Sequence, residues 1–248
     1  MPSSTTAINP EQVHPALWRA SQLARSFSRC EDTGFPALSR LLPGGGWPTG
    51  GMVDLHVQQP GIGELRLLAP ALAAVAPRGF AMLQPPHPPQ ALGLAALGVD
   101  PAAALWLRSS STADSLWAAE QVLKSGSCGA LLFWQNQIRS DSLRRLSLAA
   151  QAGETLFFMV RPLAAAQDAS PAQLRLALRP QAGGVEIEFV KRRGPARDER
   201  LFLPMTVAGL PRFQPQEQAR PVHSAEESDD AFARRNGATV ALTAGLAQ

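Results

Sequence analysis

Long apolar runs are missing from this chain. No segment approaches the roughly 18 to 20 consecutive apolar residues that a bilayer-spanning helix needs, and the start, Met1 to Gln12, is polar and lacks an apolar signal core. A cytosolic (cytoplasmic) protein with no membrane contact is expected. Cysteine is scarce as well: Cys30 and Cys128 lie far apart, with no C-x-x-C pair and no dense framework, which predicts reduced thiols. The 4 histidines, His14, His56, His87 and His223, show no ligand spacing, so no metal site is expected. Charge is sparse, at 17% of residues with a net of +3. That mildly basic balance permits contact with nucleic acid without demanding it.

What is present is apolar: 45% of 248 residues, enough for a sizeable core in one large domain with an appended tail. Val13, Leu17, Leu23 and Phe27 recur at helical spacing with Arg19, Arg25 and Arg29 between them, which predicts an amphipathic helix over residues 13–29 of an N-terminal segment, 1–32. Thr33 to Gly51 is dense in Gly and Pro and reads as a connector. A strand at 53–57, the turn Pro60-Gly61-Ile62-Gly63 and a helix at 64–76 carrying Leu65, Leu68 and Leu72 follow. Next come a strand at 79–83, a Pro-rich loop at 85–89, a helix at 90–97 closed by Gly98, and a short strand at 105–107. Ser111 with Asp114 caps a helix that ends before Gly126, and 130–134 is a strand. Ser140 or Asp141 starts a helix ended by Gly153, ahead of a strand at 155–160.

Strands alternating with helices predict a mainly parallel α/β sheet, because parallel neighbours need crossover helices that bury both faces. After Pro162 the period changes to two: Leu174, Leu176 and Leu178, then Val185, Ile187 and Phe189, with Gly183-Gly184 between, then Leu201 and Leu203. This predicts an antiparallel β extension that completes a core domain at 33–210. Residues 211–248 carry Pro211, Pro215, Pro221 and the acidic stretch Glu226, Glu227, Asp229 and Asp230, and are expected to form a largely disordered, flexible tail.

A strand, glycine turn and helix early in an α/β domain is where a phosphate-binding P-loop, G-x-x-x-x-G-K-[ST], would sit. Gly63 takes the place of its second glycine. Gln58 stands five residues earlier, and Glu64 and Leu65 occupy the positions of the phosphate-clamping lysine and the magnesium-binding hydroxyl. A carboxylate at that place repels a triphosphate by about 4 kcal/mol per charge pair at 4 Å and an effective dielectric near 20. Without the lysine, a tight βα turn and nothing more is the expected reading of Gly61 and Gly63.

Several separated segments resemble the RecA/RadA ATPase core: T-G-F-P-A-L-S-R-L-L-P-G-G-G-W-P-T-G-G-M-V-D-L at 33–55, L-G-V-D at 97–100, S-L-W-A-A-E-Q-V-L-K-S-G with the strand G-A-L-L-F-W, and V-E-I-E-F-V-K-R-R. Within that superfamily T-G-F, P-G-G-G-W-P, P-G-I-G-E-L and R-P at 161–162 resemble the ImuA branch, an SOS-associated accessory factor of translesion synthesis related to the division inhibitor SulA. The resemblance implies a RecA-like, P-loop-type fold. It puts the acidic residue after the second strand at or near Pro86 and the Walker B aspartate at Trp134, so the nucleotide site is degenerate, with no catalytic residue and no cofactor. The implied partners are an inactive Y-family polymerase-like (ImuB-type) protein, an error-prone C-family DNA polymerase and, as further candidates, RecA and weakly held DNA. The rival is a SulA-like inhibitor that binds FtsZ, although the 33–51 segment and the basic β extension argue against a minimal SulA domain.

Two further groups are candidates for contacts. Lys191, Arg192, Arg193, Arg197 and Arg200 cluster on the expected hairpin, where phosphates or a solvated turn would both account for them; Phe189 and Phe202 beside them are expected to point into the core. In the tail, Phe232, Val240, Leu242 and Leu246 offer apolar anchors for a partner. Most of Trp18, Trp47, Trp106, Trp117 and Trp134 are expected to be core or turn anchors. Cys128 has no local His or Asp to activate it as a nucleophile.

Overall fold

Glycines placed where the chain must turn, and apolar runs between them, set the element order in the computed structural model, which describes residues 29–192 and 200–205. The strands are β1 (Cys30–Glu31), β2 (Trp47–Pro48), β3 (Gly51–Val57), β4 (Phe80–Leu83), β5 (Ala104–Leu107), β6 (Ala130–Trp134), β7 (Leu156–Pro162), β8 (Leu174–Gln181), β9 (Gly184–Lys191) and β10 (Leu201–Pro204). The α-helices are α1 (Pro36–Ser39), α2 (Glu64–Val75), α3 (Ala91–Ala96), α4 (Thr112–Ser125) and α5 (Ser140–Ala150). As expected, Ser111 caps α4 by accepting from the Asp114 amide, and Gly126 ends it in the left-handed region at φ 60°.

The architecture is α/β. An 8-stranded, mostly parallel sheet has the order β10-β9-β8-β3-β7-β6-β4-β5; β8 through β5 run parallel, whereas β8, β9 and β10 pair antiparallel as the predicted extension. Leu67, Leu68 and Leu72 of α2 and Leu94 of α3 pack with Val53, Leu55, Phe158 and Leu176 on one face. Ala119 and Leu123 of α4 and Leu143 and Leu146 of α5 pack with Met52, Phe133 and Phe157 on the other. Burial on both faces is why β6 reads as an unbroken apolar run.

The 33–51 segment holds more structure than a connector. β1 and β2 form a two-stranded antiparallel sheet around α1. Gly34 sits at φ 75°, and a Cβ there would run into the Pro70 ring of α2. The fully buried Trp47 meets Phe158 edge-on at 5.4 Å between ring centroids. The T-G-F and P-G-G-G-W-P motifs are therefore packing devices that lay this segment against the sheet. The 13–29 helix, apart from Arg29, and the 211–248 tail lie outside the described residues. Among the described residues no helix is long and apolar enough to cross a membrane.

Candidate functional site

β3 ends at Val57, and the loop after it turns into α2 through Gly61 at φ 85° and Gly63 at φ 124°, conformations that favour glycine. Glu64, the first residue of α2, folds its carboxylate back over this loop. It accepts from the Gly61 amide (2.8 and 3.1 Å to its two oxygens) and from the Gly63 amide (3.3 Å), and it is only 3% exposed. Backbone amides at a helix start are a natural anion site. Here the anion is the chain's own side chain. Leu65 packs its apolar side chain against the core, and Arg66 is engaged with the Met205 carbonyl at 3.1 Å.

Gly63, Glu64, Leu65, Pro86 and Trp134 all line one cavity of about 480 Å³, together with Met82 and Leu94. It opens at the carboxyl ends of β3, β4 and β6, where β4 sends α3 to one face and β6 sends α5 to the other. Crevices of this kind are the usual ligand sites of open α/β sheets. Gln58 stays outside the cavity, and its amide extends the β3–β8 ladder to the Leu178 carbonyl at 3.4 Å. The walls combine leucine, methionine, tryptophan and proline with glycines and with the polar Glu64, Arg66, His87 and Gln90.

Two polar features of the site region were not anticipated. Gln84, directly after β4, is in the left-handed region at φ 52°. Its side-chain amide donates to the Ser109 carbonyl (2.7 Å) and to the Ser109 and Ser115 hydroxyls (3.1 Å each), tying β4 to the loop that leads into α4. The second feature lies under the sheet face away from the glycine loop. Buried Asp54 of β3 accepts from Arg161 of β7 at 3.1 and 3.2 Å in a bidentate pair and faces Arg175 of β8 at 3.6 Å and His56 at 3.5 Å. Both arginines also donate to the Ala165 carbonyl at 3.2 Å. Burial pushes the His56 imidazole below its usual pKa, Asp54 opposes this, and Arg175 and Arg161 add to it. The signal in the sequence was M-V-D-L-H-V: charged residues inside a strand buried on both faces require partners.

The basic hairpin is more heavily committed than its sequence implied. Arg192 donates to the Leu41 carbonyl at 2.6 Å, Lys191 to the Ser170 carbonyl at 3.3 Å, and Arg200 pairs with Glu186 at 3.1 Å. Arg193 and Arg197, like Phe232, Val240, Leu242 and Leu246 of the tail, lie outside the described residues. Phe189 packs on the core as expected, but Phe202 is 49% exposed, because β10 is an edge strand and this side chain faces away from the core. Trp47 and Trp134 are buried, whereas Trp106 and Trp117 are exposed; Trp18 falls outside the described residues. Cys30 and Cys128 are both thiols, and burial raises the Cys30 pKa. Among the described residues no group of His, Cys, Asp and Glu side chains is arranged to hold a metal ion.

No protein family model matches the chain. It is similar to the cell division inhibitor SulA of Edwardsiella piscicida, with 33% identity over 76 residues that make up 31% of this chain and 45% of that protein. The chain thus spans less than half the length of this curated relative.

Proposed function

We propose that this chain is a RecA-like protein without ATPase activity that serves as a cytoplasmic accessory or scaffold in SOS-induced translesion DNA synthesis. One observation carries the reading. The Glu64 carboxylate occupies the Gly61 and Gly63 amides that a phosphate would need, in a loop without the clamping lysine. Pro86 and Trp134 stand at the same cavity where the resemblance puts acidic side chains, so the metal ligand and the water-orienting base of a working site are missing from those positions. The partial similarity to SulA supports an SOS-related role. The ImuA-like motifs support the implied partners, an inactive Y-family polymerase-like protein and an error-prone C-family polymerase, with the tail anchors Phe232, Val240, Leu242 and Leu246 as the proposed contact.

Purified full-length protein is expected to show no magnesium-dependent ATP turnover above buffer, with or without single-stranded DNA, and to co-purify with the Y-family-like partner. Deleting residues from Gln214 onward should abolish co-purification and leave the melting temperature of the core nearly unchanged. Sustained turnover would reject the non-catalytic reading, and full capture by the truncated chain would move the contact to the folded core.

The SulA similarity favours a second reading, a division inhibitor that binds FtsZ. Inhibition of FtsZ assembly at stoichiometric concentrations, with no capture of the polymerase-like partner, would select it.

Weak DNA binding is a separate expectation. Replacing Lys191, Arg192 and Arg193 with alanine can flatten the salt dependence by at most about 2.7 slope units. The contacts of Lys191 and Arg192 to the carbonyls of Ser170 and Leu41 make a smaller change the expected outcome in filter-binding titrations. An unchanged slope would leave a protein-only adaptor.

A further inference from the structure

The cavity beside the glycine loop has a surface suited to an uncharged occupant. Its carboxylate, Glu64, is held by the Gly61 and Gly63 amides, and its guanidinium, Arg66, donates to the Met205 carbonyl at 3.1 Å. Ile62, Met82, Leu94, Leu97 and Trp134 supply apolar wall, while His87 and Gln90 add hydrogen-bonding groups. The volume of about 480 Å³ falls within the roughly 300–1,000 Å³ of sites that enclose most of an occupant's surface. An apolar segment enters such a site without stranding a charge.

The described chain ends beside this cavity. Met205 follows β10, and both of its backbone groups are fixed: its amide donates to the Gly183 carbonyl at 2.9 Å, and its carbonyl accepts from Arg66. Its half-buried side chain packs on the same core cluster as Ile62, Leu65 and Leu97, and a Cβ on Gly63 would lie 4.0 Å from its Cγ. All of these neighbours except Gly183 line the cavity. The residues that come next are Thr206-Val207-Ala208-Gly209-Leu210-Pro211, with no charge among them. Farther on the chain turns acidic, at Glu226, Glu227, Asp229 and Asp230. Five residues of extended chain reach about 17 Å, against a diameter of roughly 10 Å for a compact cavity of this volume.

We infer that this cavity is the docking site of the chain's own segment 206–211, with Val207 and Leu210 as its apolar anchors. The place where the described chain stops selects this occupant, and so does the match between an uncharged segment and a cavity whose carboxylate and guanidinium are already engaged. Attachment at Met205 makes docking intramolecular. Its effective concentration is on the order of millimolar, as a short tether gives, so a separate ligand of the same chemistry has to exceed that level to compete. His87 and Gln90 suit a peptide as well, because each inserted residue other than Pro211 brings an amide and a carbonyl that need partners. The place where the resemblance puts a nucleotide is then filled from within, whichever partner the protein serves.

Isotope-labelled full-length protein provides the test. Nuclear Overhauser contacts are expected between the Leu210 methyls and the Trp134 ring or the Met82 methyl. The Trp134 indole N–H, which has no hydrogen-bond partner among the described residues, serves as a second reporter from the cavity wall. In the full-length double variant Val207→Asp/Leu210→Asp the contacts should vanish, the Trp134 and Met82 resonances should shift, and the uncharged dye Nile red should bind with several-fold brighter emission than in the parent. Leu210→Met, which keeps an apolar side chain of similar volume, should retain the parent's resonances and dim dye response. A parent protein without these contacts, or a double variant whose Trp134 and Met82 resonances do not move, overturns the inference. Equal dye emission in parent and double variant overturns it too, and bright emission in both would assign the cavity to a separate apolar ligand.

Discussion

Asp54→Ala is expected to lower the unfolding free energy by about 3–5 kcal/mol, the usual loss when one partner of a buried ion pair is removed. The substitution leaves Arg161 and Arg175, 2% and 7% exposed, beside His56 with no buried carboxylate to balance them. Asp168 supplies the comparison. It pairs with the same Arg161 at 3.5 Å, but its side chain is 62% exposed, and Asp168→Ala should cost no more than about 1 kcal/mol. Urea midpoints of the two variants measure the difference, and equal losses would mean that Asp54 does not hold the cluster. His56 adds a pH dependence with a definite sign. Its folded pKa lies below the ordinary value of 6.5, so as pH falls below 6.5 the unfolded chain takes up a proton that the folded chain refuses, and stability drops. The loss is absent above that value and complete only below the folded pKa. His56→Gln should flatten the urea midpoint between pH 5 and 7 relative to the parent.

Glu64→Ala should have the largest effect at the glycine loop, where it has two separable consequences. The Gly61 and Gly63 amides lose their acceptor, a loss of about 1–3 kcal/mol if nothing replaces it. The vacated amides, at the positive end of α2, should then take up an anion from solution. Titrating inorganic phosphate into labelled protein should shift the Gly61 and Gly63 amide resonances in Glu64→Ala and leave them unmoved in the parent. Equal shifts in both proteins would mean that the carboxylate does not fill the loop. On the proposed reading, turnover of ATP is not expected to appear in the variant, because the resemblance puts Leu65, Pro86 and Trp134 where a working site needs a metal hydroxyl ligand and acidic groups.

The neighbourhood of this site was legible from the chain in part. The glycine turn, Glu64, Leu65, Pro86 and Trp134 are visible as residues. That five of these positions share one cavity follows only from the strand order, which places β4 and β6 side by side. The part played by Glu64 was harder to foresee: as a residue type it signals repulsion of phosphate, but its hydrogen bonds to the loop need the backbone path through two left-handed glycines. The hairpin arginines were legible as a cluster, but not the contacts that Arg192 and Arg200 make within the chain. Glu186 and the Leu41 carbonyl reach them across strand and loop contacts that composition does not display.

Patterning along the chain was enough to set the α/β class, the boundaries of α4 and β6 and the antiparallel turn at Gly183, because caps, glycine turns and periods of two or 3.6 are satisfied within a few residues. Contacts between distant segments were not accessible in that way. Asp54 and Arg161 are 107 positions apart, and nothing local to either dictates that β3 and β7 lie adjacent or in what register. The same holds for the exposure of Trp106 and Trp117: an apolar residue in a strand or helix looks the same in the chain whether its element is central or at an edge. Only the completed sheet makes β5 an edge and leaves those rings facing solvent, since burial depends on which neighbours close around a side chain.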